Sequence, residues 1–252
     1  MVIQRPQNIN EMTDMGFLED GLRILQALRF ASTLDFSLEE ETSGAIYRNK
    51  ELLKDIAPEQ IRFELDRLLC GNGVERVLRE YAEVIAVLIP ELAPMFGFPQ
   101  NNKYHNLDVW EHTIKTVISI PPEPVLRLTM LLHDIGKPEC FSEGDDGSSR
   151  FRKHPEKGAE KAVAILRRLK YDDAVVDLVH NLVLTHDWEI YPEYENVKKW
   201  LEYAGPDVMN DILLVMVADA CGKCAESRDE WIEILNNFAE CMQEVLKNEE
   251  NK

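Results

Sequence analysis

The most apolar stretches of this sequence run into ionisable residues, and that combination limits what the chain can become. Val125-Leu-Arg-Leu-Thr-Met-Leu-Leu leads directly into His133-Asp134, and Ile212-Leu-Leu-Val-Met-Val-Ala leads into Asp219. Helices this apolar pack inside a core. A carboxylate and an imidazole buried there are strongly destabilising unless something compensates them. A divalent cation compensates both at once, because imidazole nitrogen and carboxylate oxygen are suitable ligands for such ions. His112, on the preceding helix, adds a further ligand of the right kind. The expected centre is therefore His112, His133, Asp134 and Asp219, a mixed nitrogen and oxygen set on three helices. It would hold a divalent ion such as Mn, Fe, Co, Ni or Mg.

All six histidines fall between positions 105 and 186. His154 stands at a helix start and His186 closes another helix. Two readings stay open for this pair: ligands of a second ion with Asp134 as the bridge, or contacts to substrate and helix ends. His105, in the loop before Asp108, is expected to line the mouth of the site and touch substrate. Lys137, three residues after Asp134 in HDIGK, falls near the same face and is suited to hold a non-bridging phosphate oxygen. A bound divalent ion lowers the pKa of a water ligand and polarises a phosphoryl oxygen. Asp134 and Lys137 are the residues expected to take part in such chemistry.

Helical punctuation dominates the rest. Leu22, Leu25, Leu28 and Ala31 form one apolar stripe, Ser37 before three glutamates reads as a helix cap, and Pro58 opens a helix that Gly71 stops. Single helices are expected over 74–88, 125–135, 155–169, 172–186 and 229–246, with a turn or hairpin tip at 143–150. No convincing alternating strand occurs, so the fold class is all-α. The loop 96–103 is the best boundary, giving a helical neck-like region at 1–95 and a histidine-bearing bundle at 96–252.

The 28 Lys and Arg against 46 Asp and Glu leave a net charge of −18. That excludes general binding of DNA or RNA through phosphate neutralisation unless a basic face is strongly segregated. No apolar run approaches the roughly 20 residues of a membrane span, and MVIQRPQNIN carries no secretory pattern. Five cysteines, Cys221 and Cys224 among them, are too few and uneven for a secreted disulfide framework, so a reducing cytoplasm is the expected compartment.

HNLDVWEHT at 105–113, LLHDIGK at 131–137, His154 before GAE and VADA at 217–220 together resemble the HD superfamily of metal-dependent phosphohydrolases. His154 and His186 resemble its two-metal version. The preceding segments, EDGLRILQALRFA at 19–31, PEQIRFELDRLL at 58–69 and QNNKYHNLDVWEHT at 100–113, are similar to the neck and body of bacterial tRNA nucleotidyltransferases, the CCA-adding enzymes and poly(A) polymerases. The resemblance implies an all-α helical neck followed by an HD-type bundle. It would map reading of the CTP or ATP base onto Glu19, Asp20 and Arg23.

That family's head, with its Gly-Ser turn and paired aspartates, has no counterpart in the sixteen residues before Phe17. Glu19, Asp20 and Arg23 are then expected to cap and brace a helix, and nucleotidyl transfer is not expected from this chain alone. Two activities follow as expectations. One is hydrolysis of small phosphate esters or nucleotides, 2′,3′-cyclic phosphates among them, by metal-activated water. The alternative is a split or truncated tRNA nucleotidyltransferase that binds tRNA or a separate head, which the net charge disfavours.

Overall fold

The computed structural model describes residues 14–250; the MVIQRPQNIN segment lies outside them. The regular structure is almost entirely helical, in agreement with the all-α expectation. Among the described residues six α-helices form the first part: α1 (Asp14–Glu19), α2 (Leu22–Thr33), α3 (Glu40–Asn49), α4 (Pro58–Leu69), α5 (Val74–Glu80) and α6 (Ala82–Leu88). After an irregular stretch come α7 (Val109–Ser119) and α8 (Pro124–Leu132), then a short antiparallel hairpin of β1 (Ser142–Glu143) and β2 (Ser149–Arg150). The chain ends in α9 (His154–Arg168), α10 (Asp173–Thr185), α11 (Tyr194–Cys221) and α12 (Ala225–Glu250). Among the described residues no helix is long and apolar enough to cross a membrane.

Local chemistry accounts for most of these boundaries. Pro58 and Pro124 occupy first-turn positions in α4 and α8, where a missing N–H costs nothing. Asp108 caps α7, its carboxylate accepting from the Glu111 N–H at 2.8 Å. The stripe Ile24, Leu25, Leu28 and Ala31 of α2 is buried against Ile61, Leu65 and Leu68 of α4 in a continuous apolar core, each such side chain contributing roughly 1.5–3 kcal/mol. Arg29 of α2 pairs with the buried Glu64 of α4 across the same contact.

Four expected boundaries are corrected. The helix expected over 74–88 is two helices broken at Tyr81 (φ −119°, ψ 27°). Its buried ring stacks on Tyr47 at 5.8 Å and its hydroxyl donates to Ser43 Oγ at 3.0 Å, a tertiary demand that overrides helix continuity. Glu39, not Ser37, stands at the cap of α3, without a side-chain bond. Helix α8 stops at Leu132 instead of continuing to 135, so His133 is its C-cap. Helix α12 starts at Ala225 and runs to Glu250 rather than spanning 229–246. Gly205 (φ 74°, ψ 164°) interrupts α11 immediately before Pro206, a conformation that suits glycine.

The first and second parts meet along a seam at the far end of α9. The Tyr171 hydroxyl donates to Asp66 Oδ1 at 2.5 Å, Arg62 donates to the Lys170 carbonyl, and Arg168 grips Glu91 with two bonds of 2.6 and 2.8 Å. Helix α4 packs on α8, and α5 on α7. The near end of α9 lies against the HDIGK turn. A Cβ at Gly136 would sit 2.3 Å from the His154 carbonyl oxygen, so only glycine allows that approach.

Candidate metal centre

Four histidines and two aspartates converge between α7, α8, α9, α10 and α11. His112, His133, Asp134 and Asp219 each offer an atom within 4.8 Å of the others, and Asp134, His154 and His186 form a second group on the same criterion. His112, His133 and Asp134 are completely buried. Asp134 belongs to both groups. Its Oδ2 lies 3.2 Å from His133 Nε2 and 3.4 Å from His112 Nε2, while its Oδ1 lies 3.4 Å from His154 Nε2 and 3.7 Å from His186 Nε2. Asp219 Oδ1 closes the first group at 3.0 Å from His112 and 3.5 Å from His133.

The orientation of every imidazole is set by the backbone. Nδ1 of His133, His154 and His186 faces the carbonyl three residues earlier, of Met130, Phe151 and Val183, at 2.7, 2.8 and 2.7 Å. Nδ1 of His112 faces the Gly222 carbonyl at 3.1 Å. A carbonyl can only accept, so each Nδ1 carries the proton and each Nε2 is presented inward. Two pairs of Nε2 atoms then confront each other, His112 with His133 at 3.3 Å and His154 with His186 at 3.2 Å. Facing lone pairs at such distances call for a positive charge between them.

Asp134 makes the same demand. It is fully buried and neither oxygen receives a directed hydrogen bond, although the Lys137 ammonium lies 2.7 Å from Oδ2. Burial alone would raise its pKa, but the neighbouring His133 and Lys137 charges hold it well below the usual carboxylate range. Asp219 is likewise held low, burial being outweighed by Lys223 and His112. Burial pushes His112 below its ordinary value, and burial with the nearby Lys137 pushes His105 down to about 2. His133 goes the other way: burial is overcome by Asp134 and Asp219, which raise it to about 9. A proton on His133 thus stands where cationic charge belongs. The orphaned carboxylate and the inward Nε2 atoms fit one or two divalent ions, with bound waters completing the coordination.

An open cavity of about 570 Å³ leads to this cluster. It is lined by His105, Lys137, His154, His186 and Asp219, so these expected residues meet at one place. Glu19, Asp20 and Arg23 do not line it. Glu19 pairs with Arg23 at 3.1 Å and Asp20 caps α2 at the Leu22 N–H, 3.0 Å away. Residues not singled out from the sequence also face the cavity: Lys103, Tyr104, Arg152, Asp187, Lys223 and Trp231. Of these only Lys223 left a usable trace, standing one helical turn after Asp219, to whose Oδ2 it binds at 2.6 Å.

Fold and centre together give a helical neck followed by a helical bundle that carries the histidine and aspartate cluster. Residues 104–224 match the HD domain model, and residues 35–96 match a model described as the probable RNA and SrmB-binding site of polymerase A. The chain is 33% identical over 241 residues to the CC-adding tRNA nucleotidyltransferase of Thermus thermophilus, covering 90% of this chain and 55% of that protein. It is 31% identical over 216 residues to the A-adding tRNA nucleotidyltransferase of Deinococcus radiodurans, covering 79% of this chain and 49% of that one. The Bacillus stearothermophilus CCA-adding enzyme solved with CTP shares the fold, with a TM-score of 0.56 and 24% identity over 90% of this chain and 48% of that one. The chain matches the neck and HD body of the CCA-adding tRNA nucleotidyltransferases, and it spans about half the length of these relatives.

Proposed function

We propose that this chain is the neck and body of a tRNA nucleotidyltransferase-type protein, holding tRNA for a nucleotidyltransferase head. The observation that carries this reading is the match through neck and body, 90% of the chain at 33% identity to a CC-adding enzyme. Charge distribution supports it more than the net charge suggested. Eight of the 28 Lys and Arg fall within 150–170, against two glutamates, in a chain of net charge −18. Arg152, Lys153, Arg167 and Lys170 are exposed and make no ion pair among the described residues. Helix α9, 15 residues long, spreads them over about 22 Å, a spacing suited to a polyanion rather than one phosphate. The test is fluorescence anisotropy of labelled tRNA at low salt, with a double-stranded DNA of equal charge as the reference. Equal affinity for the two, or none for tRNA, overturns the reading.

A second reading rests on the convergent histidines and aspartates: the body is also a metal-dependent phosphohydrolase. His112, His133, Asp134 and Asp219 would hold one ion, and His154 and His186 with Asp134 would hold another. Bound there, a divalent ion supplies Lewis acidity toward a phosphoryl oxygen and an acidified water. Asp134 lies between both histidine pairs, and Lys137, steadied by Gln100 Oε1 at 2.8 Å, faces the cavity to receive a phosphate oxygen. The test is hydrolysis of 2′,3′-cyclic AMP and of a generic phosphodiester with Mn, Co, Ni or Mg. Activity that survives in both His133→Ala and Asp134→Ala would exclude this centre.

A further inference from the structure

Outside the ligand cluster the cavity has a second chemical character. Three of its lining side chains, Tyr104, Phe151 and Trp231, are aromatic, and each carries a lysine, Lys137 in the case of Phe151. The Lys103 ammonium lies 4.8 Å from the ring centroid of Tyr104, and the Lys223 ammonium 5.1 Å from that of Trp231. Tyr104 is 45% exposed, with Lys103 over its ring. The two sides are tied together by the backbone. The Cys224 N–H donates to the Tyr104 carbonyl at 2.9 Å, and the Cys224 thiol points to the Lys103 carbonyl at 3.5 Å. His105 meanwhile packs edge-on against His112 with centroids 4.9 Å apart. The aromatic wall is therefore held at a fixed position beside the ligand cluster. Lys223 links the two, contacting Asp219 on one side and Trp231 on the other.

A plain phosphate needs only the cations. Aromatic faces next to cations, in a cavity of about 570 Å³, match a ligand with a flat ring and a phosphate, and that volume is in the usual range for small-molecule sites. We propose that Tyr104 and Trp231 form a nucleobase platform, making the cavity a nucleoside-phosphate site whose phosphate end faces Lys137 and the histidine cluster. This rests on the phosphohydrolase reading for the phosphate end only; the platform stands on its own geometry.

Calorimetric titration of the metal-loaded protein with AMP, ribose 5-phosphate and inorganic phosphate separates the two. AMP is expected to bind about ten- to hundredfold more tightly than ribose 5-phosphate. Tyr104→Leu and Trp231→Ala should each erase much of that difference while leaving ribose 5-phosphate affinity unchanged, and Trp231→Phe should restore most of it. Thermal melting identifies a variant that fails to fold, and Tyr104, being exposed, keeps the test decisive if Trp231→Ala does. Equal affinity of wild type for AMP and ribose 5-phosphate overturns the platform. So does a parallel loss of both ligands in a folded variant. Base-dependent binding without hydrolysis of any ester would instead overturn the phosphohydrolase reading and leave the platform standing.

Discussion

The Nδ1 of His112 donates to the carbonyl of Gly222, 110 residues later, at 3.1 Å. The other three imidazoles lean on carbonyls of their own chain segment, so this is the one long-range clasp among the four. It is also tight: a Cβ at Gly222 would lie 2.4 Å from His112 Nδ1.

Gly222→Ala is accordingly expected to push His112 off its carbonyl and out of line with Asp219. Removing such an orienting partner lowers metal affinity by about 10- to 100-fold. Competition against a chromophoric chelator measures it. Unchanged affinity in a folded Gly222→Ala protein would show that the clasp does not orient His112.

The second group of ligands predicts a stoichiometry. His186→Ala leaves His112, His133, Asp134 and Asp219 in place and removes one of two imidazoles from the other group. Metal analysis after dialysis is expected to fall from two ions per chain to one. Two ions retained in the variant would assign His186 to substrate or helix-end contacts.

The basic segment predicts a salt dependence. Arg167→Glu with Lys170→Glu removes two exposed cations at the seam end of α9 without touching the ligands. Affinity for single-stranded RNA should fall, and the slope of log K against log salt should flatten by about 0.7 for each lost phosphate contact. An unchanged slope would place RNA elsewhere on the chain.

Asp66 predicts a pH effect on stability. Burial raises its pKa above the ordinary 3.8, more than the Tyr171 hydroxyl and the Arg62 charge lower it. A carboxyl raised in the folded state contributes stability that is present below its unfolded pKa and is lost as pH rises through the folded value. Asp66→Asn keeps an acceptor for Tyr171 and carries no charge. Measured by urea denaturation, the variant should gain on wild type as pH climbs from about 4 to about 7. A gap that narrows in the opposite direction would mean the ionised carboxylate is favoured at the seam.

The metal cluster was legible because its members interrupt apolar helices, where an ionisable side chain has no other explanation. The six residues expected as first or second ligands all meet around Asp134. What the chain hid was of two kinds. Trp231 sits on an amphipathic helix, where an aromatic residue is indistinguishable from core, and Tyr104 sits in a loop; only the packing of 103–105 against 222–224 brings them together. The basicity of 150–170 was masked by summing charge over the whole chain, which treats a segregated face as if it were spread evenly. Tyr81 shows a third limit, since its local sequence favours helix and only its contacts with Tyr47 and Ser43 break it.

Helix α9 has His154 at its first position and, just beyond its last, the Lys170–Tyr171 seam with Arg62 and Asp66. It is a stiff rod with the ligand cluster at one end and the neck fastened to the other. A rod pinned at both ends cannot absorb movement along its length. Its His154 end stands 3.4 Å from Asp134 Oδ1, while α4 on α8 and α5 on α7 hold the neck to the body beside it. One continuous helix thereby reaches from the second ligand group to the seam with the neck.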